Sequence, residues 1–276
     1  EKIWETPSQL KNPESISFDS NKSLLYVSNV NGNPEKIDHN GFISKVSSTN
    51  GTIIELNWVS NLNAPKGIDI DNNTGKIYVS DITELIEIDS SSGEITNHYP
   101  ALANSSLNDV AIDKKGNVFV SDPPNNAIFT LDTENANSSK SLQIWLKSNE
   151  LNGPNGILID HGKNHLVVAS MGKDAGTIKA IDLNNKTIIN IGEENKTVPV
   201  GVLDGLQMSN DEKFYYVSDW KTGNIYIVDV SGKGYHPLFN SPIQGMADFK
   251  FIGSEGKLII PLMQDNKIIA FRMNEN

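Results

Sequence analysis

Four short motifs each place an oxygen-bearing side chain just before an alternating apolar segment. The motifs are PESI, LNDV, PNGI and LDGL, and their side chains are Glu14, Asn108, Asn155 and Asp204. Carboxylate and amide oxygens are the ligands that hard cations such as Ca²⁺ take, in six- to eight-fold coordination completed by water. If the four side chains converge, the sequence predicts a divalent-cation site. Each residue taken alone is also typical of a polar turn.

Convergence depends on an internal repeat along the chain. The segments IYVSDITELIEID (77–89), VFVSDPPNNAIFTLD (118–132) and YYVSDWKTGNIYIVD (216–230) each contain a β-rich triplet, Ser-Asp, a short turn and a second apolar strand. Alternating segments such as ISFD, IDID, VAID and ILID precede the copies of this unit, and their period of two is the signature of a strand. The repeating unit is therefore four short antiparallel strands.

The repeat predicts an all-β, six-bladed β-propeller. The position two residues before each inner strand's first apolar residue recurs at 14, 66, 108, 155, 204 and 247, with spacings of 52, 42, 47, 49 and 43. Four strands in about 40–50 residues match one propeller blade. We expect residues 1–276 to form a single propeller domain. Because the last repeat lacks an outer strand, Ile3 to Thr6 should pair beside Ile268–Met273 and cover its edge.

Equivalent residues of the inner strands should form a ring around the central channel. Neither sulfur nor imidazole occurs in this ring, which disfavours zinc. Lys66 could stabilise an oxyanion, bind a substrate carboxylate or extend to solvent at the rim. Trp220 lies on the same face and could wall a substrate pocket or pack between blades. The recurring aspartates Asp81, Asp122 and Asp219 could support the site or cap tight turns. The ring itself consists of Glu14, Lys66, Asn108, Asn155, Asp204 and Ala247.

Composition excludes several classes of function. A net charge of −11 and an isoelectric point near 4.9 argue against nucleic acid as a partner, because phosphates would be repelled. The absence of cysteine excludes disulfides, thiolate zinc sites and cysteine nucleophiles. No apolar run reaches the roughly 18 residues of a membrane span. No Ser-His-Asp elbow, phosphate-binding loop or dinucleotide fingerprint is present.

The four motifs, in this order and on these blades, make the chain similar to the senescence marker protein (regucalcin)/gluconolactonase/LRE-like family along essentially its whole length. Diisopropyl fluorophosphatase and the paraoxonases resemble it more distantly. The resemblance implies one catalytic divalent cation held by Glu14, Asn108, Asn155 and Asp204, with Ca²⁺ preferred and Mn²⁺, Mg²⁺ or Zn²⁺ as alternatives. It also implies that Asp204 acts as general base or nucleophile in the hydrolysis of an ester, lactone or organophosphate.

Two positions depart from the family pattern. Ser106 stands where members acting on aldonolactones carry an arginine, and Ala247 stands where the phosphatase branch carries a histidine. The expected function is a metal-dependent lactonase or esterase of a small molecule, acting as a monomer, with Lys66 and Trp220 as candidate substrate contacts. Two alternatives stay open: a non-catalytic binding or scaffold propeller resembling NHL-repeat proteins, and a propeller whose metal is purely structural.

Overall fold

The computed structural model describes residues 1–131, 141–173, 176–192 and 201–273. Within them the chain forms six antiparallel sheets of four strands each. The first three blades are consecutive in sequence and comprise β2 (Pro13–Asp19), β3 (Leu24–Asn29), β4 (Gly41–Ser47) and β5 (Ile53–Leu62); β6 (Pro65–Asp71), β7 (Lys76–Asp81), β8 (Glu84–Asp89) and β9 (Ile95–Pro100); and β10 (Val110–Ile112), β11 (Val118–Asp122), β12 (Ala127–Leu131) and β13 (Gln143–Lys147).

The last three blades follow the same order, except that the outer strand of blade six comes from the N-terminus. Short 3-10 helices at Pro123–Asn125, Asn149–Leu151 and Gly253–Glu255 occupy turns. The strands are β14 (Pro154–Asp160), β15 (His165–Ser170), β16 (Ile178–Asp182) and β17 (Ile188–Asn190); β18 (Leu203–Met208), β19 (Phe214–Asp219), β20 (Asn224–Asp229) and β21 (Tyr235–Pro237); and β22 (Lys250–Ile252), β23 (Lys257–Leu262), β24 (Lys267–Arg272) and β1 (Lys2–Glu5).

The blades form a closed ring. Each inner strand contacts the inner strand of the next blade, and β22 contacts β2. The predicted closure is confirmed: β1 pairs antiparallel with β24, and Thr6 N donates to Ile268 O at 3.0 Å. Pairing of β1 covers the edge of blade six that the sequence left without a partner. The six-bladed propeller expected from the repeat is therefore the observed fold.

The hydrophobic core lies between blades rather than at the centre of the ring. Six clusters of buried side chains each join two neighbouring blades, including the pair formed by blades six and one. Alternation along the strands explains this arrangement, because each sheet directs apolar side chains to both of its neighbours. Closing the ring therefore also completes the core, because the cluster between blades six and one forms where these two blades meet. Within the described ranges, no helix is long and apolar enough to cross a membrane.

A cavity of about 240 Å³ lies on the propeller axis. All six inner strands, or the residues just before them, line it, which identifies it as the central channel. Its walls combine aliphatic side chains with a few polar groups. Those polar groups are Asp69, Asp109, His161, Gln207, Asp248 and Lys250.

Candidate functional site

The ring residues lie where the inner strands leave their regular register. In four blades the pairing of the inner strand breaks after its first residue and resumes three residues later. Such β-bulges bend the strand and re-aim a side chain, and they are frequent beside functional sites. The side chains at this break are Glu14, Lys66, Asn155 and Asp204.

The serine of the repeated Ser-Asp motif fixes the backbone at this position. In three blades its hydroxyl accepts a hydrogen bond from the backbone N–H of the residue that follows the ring residue. A buried N–H thereby keeps an acceptor, and in blades one and five this N–H lies at the register break. The pairs are Ser15 N with Ser28 Oγ (3.0 Å), Asp109 N with Ser121 Oγ (2.9 Å) and Gly205 N with Ser218 Oγ (2.8 Å).

The aspartates of the repeat cap the loops that lead to the ring. Each carboxylate accepts from a backbone N–H two residues before a ring residue. The sequence leaves open whether these aspartates cap turns or support the site. The same hydrogen bonds do both, because the capped loop holds the ring residue in place. The bonds are Ala64 N to Asp81 Oδ1 (2.7 Å), Ser106 N to Asp122 Oδ1 (3.3 Å) and Val202 N to Asp219 Oδ1 (3.1 Å).

Asn155 and Asp204 are in direct contact. Asn155 Nδ2 donates to Asp204 Oδ1 at 3.1 Å and to the carbonyl oxygen of Leu203 at 3.0 Å. The amide nitrogen is thereby used within the protein, and Asn155 Oδ1 is the atom left over. That oxygen is buried and accepts no hydrogen bond from any described residue.

Glu14 has the same feature on the first blade. The residue is 7% exposed, and its Oε2 atom is buried without a hydrogen-bond partner in the described part of the chain. A buried acceptor without a partner costs about 1–3 kcal/mol, and more when it is charged. Two such oxygens in one ring of a propeller are the acceptors that a cation would satisfy.

The electrostatics of the ring are unfavourable for carboxylates alone. Burial raises the pKa of Glu14 well above its usual range, and the charges of Asp204 and Asp248 raise it further. Burial and the charge of Asp248 raise the pKa of Asp204 to about 7, against the hydrogen bond from Asn155. Lys66 partly offsets both effects. A divalent cation at the ring would favour the ionised carboxylates.

These residues fit a hard cation. Two carboxylates and two amides supply oxygen ligands, and Ca²⁺ or a similar ion prefers such a set. Among the described residues no group of three or more histidine, cysteine, aspartate or glutamate side chains is arranged to hold a metal. A site at the ring does not depend on such a group, because half of its ligands are amides.

Asn108 is held at the ring by its backbone. Its N–H donates to Ser121 O at 2.9 Å, and its carbonyl oxygen accepts from Gly67 N at 2.9 Å in the neighbouring blade. Ala247, the sixth ring residue, is buried and offers no ligand. Three of the four predicted ligands are therefore linked by side-chain hydrogen bonding or charge, whereas the main-chain bonds of Asn108 go to Ser121 and Gly67 rather than to the other three.

Two further aspartates lie one residue further along the channel: Asp109, for which the sequence leaves open support of the site or capping of a turn, and Asp248, which the sequence did not single out. Asp109 Oδ2 accepts from Ile157 N at 2.7 Å, and Asp248 Oδ2 accepts from Ser15 Oγ at 2.6 Å, so each links its blade to the next. They fit because the neighbouring blade carries glycine at the equivalent position. A Cβ on Gly67 would overlap the backbone of Asp109, and one on Gly205 would overlap the carboxylate of Asp248. The glycine at this position in the blade before each aspartate was the signal that the sequence offered.

The channel mouth is the end of the channel at which the ring residues lie. It has Lys66 of blade two on one side and the exposed side chains of Met171 and Trp220, of blades four and five, on the other. Lys66 is 6% exposed, so it does not extend to solvent at the rim. Trp220 is 40% exposed, which excludes a fully packed position between blades. Its N–H donates to Val202 O at 2.9 Å beside the Asp204 strand, and Met171, also exposed, donates through its N–H to Gly153 O at 2.7 Å beside the Asn155 strand.

Glu35 is the contact at this mouth that sequence reasoning missed. It lies in the loop between β3 and β4, and its carboxylate reaches Lys66 and Ser106 on the next two blades. The first repeat is the longest, at 52 residues between ring positions, and this loop accounts for much of its extra length. The extra length of this loop was the feature of the sequence that could have indicated a contact with the site.

Comparison with known proteins gives the fold. No family model matches the chain, and no curated protein sequence matches it either. Among solved structures it is similar to a gluconolactonase from Xanthomonas campestris, with a TM-score of 0.72 and 14% sequence identity over 97% of this chain and 88% of that chain. At this identity the likeness shows a shared six-bladed propeller.

Proposed function

We propose that this protein is a divalent-cation-dependent hydrolase that opens a lactone or cleaves an ester of a small molecule at the channel mouth, with Ca²⁺ as the preferred ion. The observation that carries the proposal is the pair of buried, unpartnered oxygens, Glu14 Oε2 and Asn155 Oδ1, beside the carboxylate of Asp204. A binding scaffold gains nothing from burying unsatisfied acceptors at equivalent positions. The propeller fold shared with a gluconolactonase supports the reaction class.

Glu14, Asn108, Asn155 and Asp204 would hold the cation. When bound, a divalent cation supplies polarisation of the substrate carbonyl and a lowered pKa of coordinated water. The protein contributes the rigid bulges that present the ligands and the hydrogen bond that orients Asp204. Burial of these groups strengthens their electrostatic interactions relative to water.

Asp204 is the proposed general base. Its Oδ1 atom is held by Asn155 Nδ2, so Oδ2 is free to take a proton from the attacking water. Water adds to the carbonyl carbon, the bond from that carbon to the ring or ester oxygen breaks, and the leaving oxygen takes a proton. One lactone and one water give one hydroxy acid. Lys66 lies close enough to lower the pKa of Asp204, which favours the ionised base.

The test is hydrolysis by chelator-treated protein with Ca²⁺, Mn²⁺, Mg²⁺ or Zn²⁺ restored, using lactones, aryl esters and an organophosphate. We expect activity that requires a divalent ion and that Asp204→Asn lowers by about 10³-fold or more, within the range of a lost general base together with a lost ligand. Asp229→Asn, at the half-buried end of β20 where Asp229 Oδ1 accepts from Ser231 N at 2.7 Å, is the matched control and should retain activity. Full activity in Asp204→Asn would refute the catalytic role, and a purely structural ion would account for that result.

A further inference from the structure

Side chains from three blades meet beside the ring. Lys66 Nζ of blade two lies 3.5 Å from Glu35 Oε1 of blade one and 3.5 Å from Ser106 Oγ, which precedes blade three. Ser106 Oγ also lies 3.2–3.3 Å from both carboxylate oxygens of Glu35. One carboxylate is thus bound by an ammonium and a hydroxyl at the channel mouth.

The two partners of this ion pair differ in how firmly they are held. The side chain of Lys66 is 8% exposed, whereas that of Glu35 is 62% exposed. The backbone of Lys66 lies in the β-bulge of β6, which is paired with β7 on both sides of the bulge. The contacts of its Nζ atom with Glu35 Oε1 and Ser106 Oγ are both 3.5 Å long, at the outer limit of hydrogen-bond distance. An ion pair with one partner this exposed contributes little to stability, because water competes for the exposed carboxylate. The carboxylate of Glu35 is therefore readily exchanged, while the lysine stays in place.

The base of the loop that carries Glu35 is anchored. Asn31 Nδ2 donates to Asn40 O at 2.8 Å across the loop, and Gly32 N donates to Asn12 Oδ1 at 3.0 Å. Glu35 N donates to Asn33 Oδ1 at 2.9 Å. These contacts keep Glu35 over Lys66, so the loop presents a carboxylate to the mouth of the channel as a substrate would.

We propose that Lys66 Nζ and Ser106 Oγ form a carboxylate-binding subsite, and that the substrate is a lactone or ester bearing a carboxylate that displaces Glu35. The inference rests on the proposed hydrolase function. It follows from the geometry at the mouth: the buried Lys66 ammonium is paired with the exposed carboxylate of Glu35, and a substrate carboxylate can take the same place. A compact ammonium with a nearby hydroxyl suits a carboxylate, since hydrogen bonds to charged groups are stronger than those between neutral groups.

The kinetic test compares two lactones that differ by one carboxylate, γ-butyrolactone and 5-oxotetrahydrofuran-2-carboxylate. We expect the wild type to favour the carboxylated lactone in kcat/KM by about tenfold or more, as for one hydrogen bond to a charged group. Lys66→Met should abolish this preference and Lys66→Arg should keep part of it. Glu35→Gln should increase the preference through a lower KM, because the internal competitor is gone.

The matched control is Asp38→Asn, which removes the same charge from the same loop. Asp38 pairs with Lys36 at 3.4 Å rather than with Lys66, so the wild-type preference should persist. An equal effect of Asp38→Asn and Glu35→Gln would show that overall charge governs selectivity and would overturn the subsite. An unchanged preference in Lys66→Met would overturn it as well.

A binding measurement separates this inference from the proposed function. Calorimetry should show that 2-hydroxyglutarate, the product of the carboxylated lactone, binds the wild type about tenfold more tightly than 4-hydroxybutyrate, a free-energy difference of about 1.4 kcal/mol. Lys66→Met should remove that difference, and Ser106→Ala, which provides the test if Lys66→Met fails to fold, should reduce it. If neither lactone is hydrolysed but this difference is found, the hydrolase proposal fails and the subsite stands. Equal binding of the two acids overturns the subsite whatever the activity.

Discussion

Replacing Asp204 by asparagine should stabilise the chelator-treated protein at pH 8 while weakening its response to Ca²⁺. Burial and the charge of Asp248 raise the pKa of Asp204 to about 7 in the folded protein. An aspartate in an unfolded chain has a pKa of about 3.9. At pH 8 the carboxylate is ionised in both the folded and the unfolded state. Because the raised pKa means that the folded state disfavours the ionised form, this ionisation lowers the free energy of unfolding.

The magnitude follows from that difference of about 3 pKa units, at about 1.4 kcal/mol for each. The upper limit is about 4 kcal/mol, and we expect about 2–4 kcal/mol because the side chain is partly exposed at the channel mouth. Asparagine can still accept the hydrogen bond from Asn155 Nδ2, so the substitution removes charge without removing that contact. For a chain of this size the gain corresponds to a rise in Tm of roughly 4–8 °C.

The sign of the pH dependence is also fixed. Because the folded pKa lies above the unfolded one, the folded state binds the proton more tightly, and stability falls as the pH rises from about 4 to about 7. The destabilisation is absent below that window and complete above it. The advantage of Asp204→Asn should therefore be largest at pH 8 and much smaller at pH 5, where the wild-type carboxyl is mostly protonated.

The assay is urea and thermal unfolding followed by the fluorescence of the four tryptophans, in chelator at pH 5 and pH 8 and again with Ca²⁺. Ca²⁺ should raise the wild-type free energy of unfolding by RT ln(1 + [Ca²⁺]/Kd) and should raise that of Asp204→Asn much less. Asp229→Asn controls for the loss of one negative charge, since the pKa of Asp229 is lowered by hydrogen bonds from Ser231. A less stable Asp204→Asn at pH 8 in chelator, or an equal gain of both proteins from Ca²⁺, would refute the reasoning.

Further predictions concern the scaffold that holds the ring. Deleting residues 1–7 should lower Tm sharply, because the outer strand of blade six and its bonds to Ile268 are lost; an unchanged thermal melt would contradict the closure. Gly156→Ala should destabilise the fold, since its Cβ would overlap the backbone of the next blade, whereas Gly234→Ala, with open space around it among the described residues, should be nearly neutral; equal melts would contradict this. Asp81→Ala should cost about 1–3 kcal/mol in urea unfolding for each loop N–H left without an acceptor, and a neutral result would show that the cap is dispensable.

The propeller could be predicted because its physical causes are local and repeated. The alternation of apolar residues, the recurring Ser-Asp pair and the spacing of the ring positions each report the same four-stranded unit. The closing strand was also predictable, because the last repeat lacks an outer strand and the N-terminal residues 3–6 belong to no other repeat. The ring positions followed once equivalent residues were aligned, and the structure adds that four of the six lie in β-bulges.

What escaped prediction depends on contacts between blades and on one loop without repeat symmetry. Asp109 looks like a turn residue, and its hydrogen bond to the next blade appears only when Gly67 and Ile157 are placed beside it. Glu35 lies about thirty residues before Lys66 in a loop that no other blade copies, so no pattern links them. Lys66 was ambiguous because its burial depends on the neighbouring blades, which a sequence does not display.

Glu14, Asn108, Asn155 and Asp204 are the proposed ligands of one divalent cation. Calorimetric titration of Ca²⁺ into chelator-stripped wild type and Glu14→Gln tests this proposal most directly, because glutamine keeps the shape of the side chain whose Oε2 atom has no partner among the described residues. We expect one Ca²⁺ per wild-type chain and an affinity at least 100-fold weaker in the variant, about 2.7 kcal/mol. Equal stoichiometry and equal affinity in the two proteins would show that Glu14 is not a ligand of the cation.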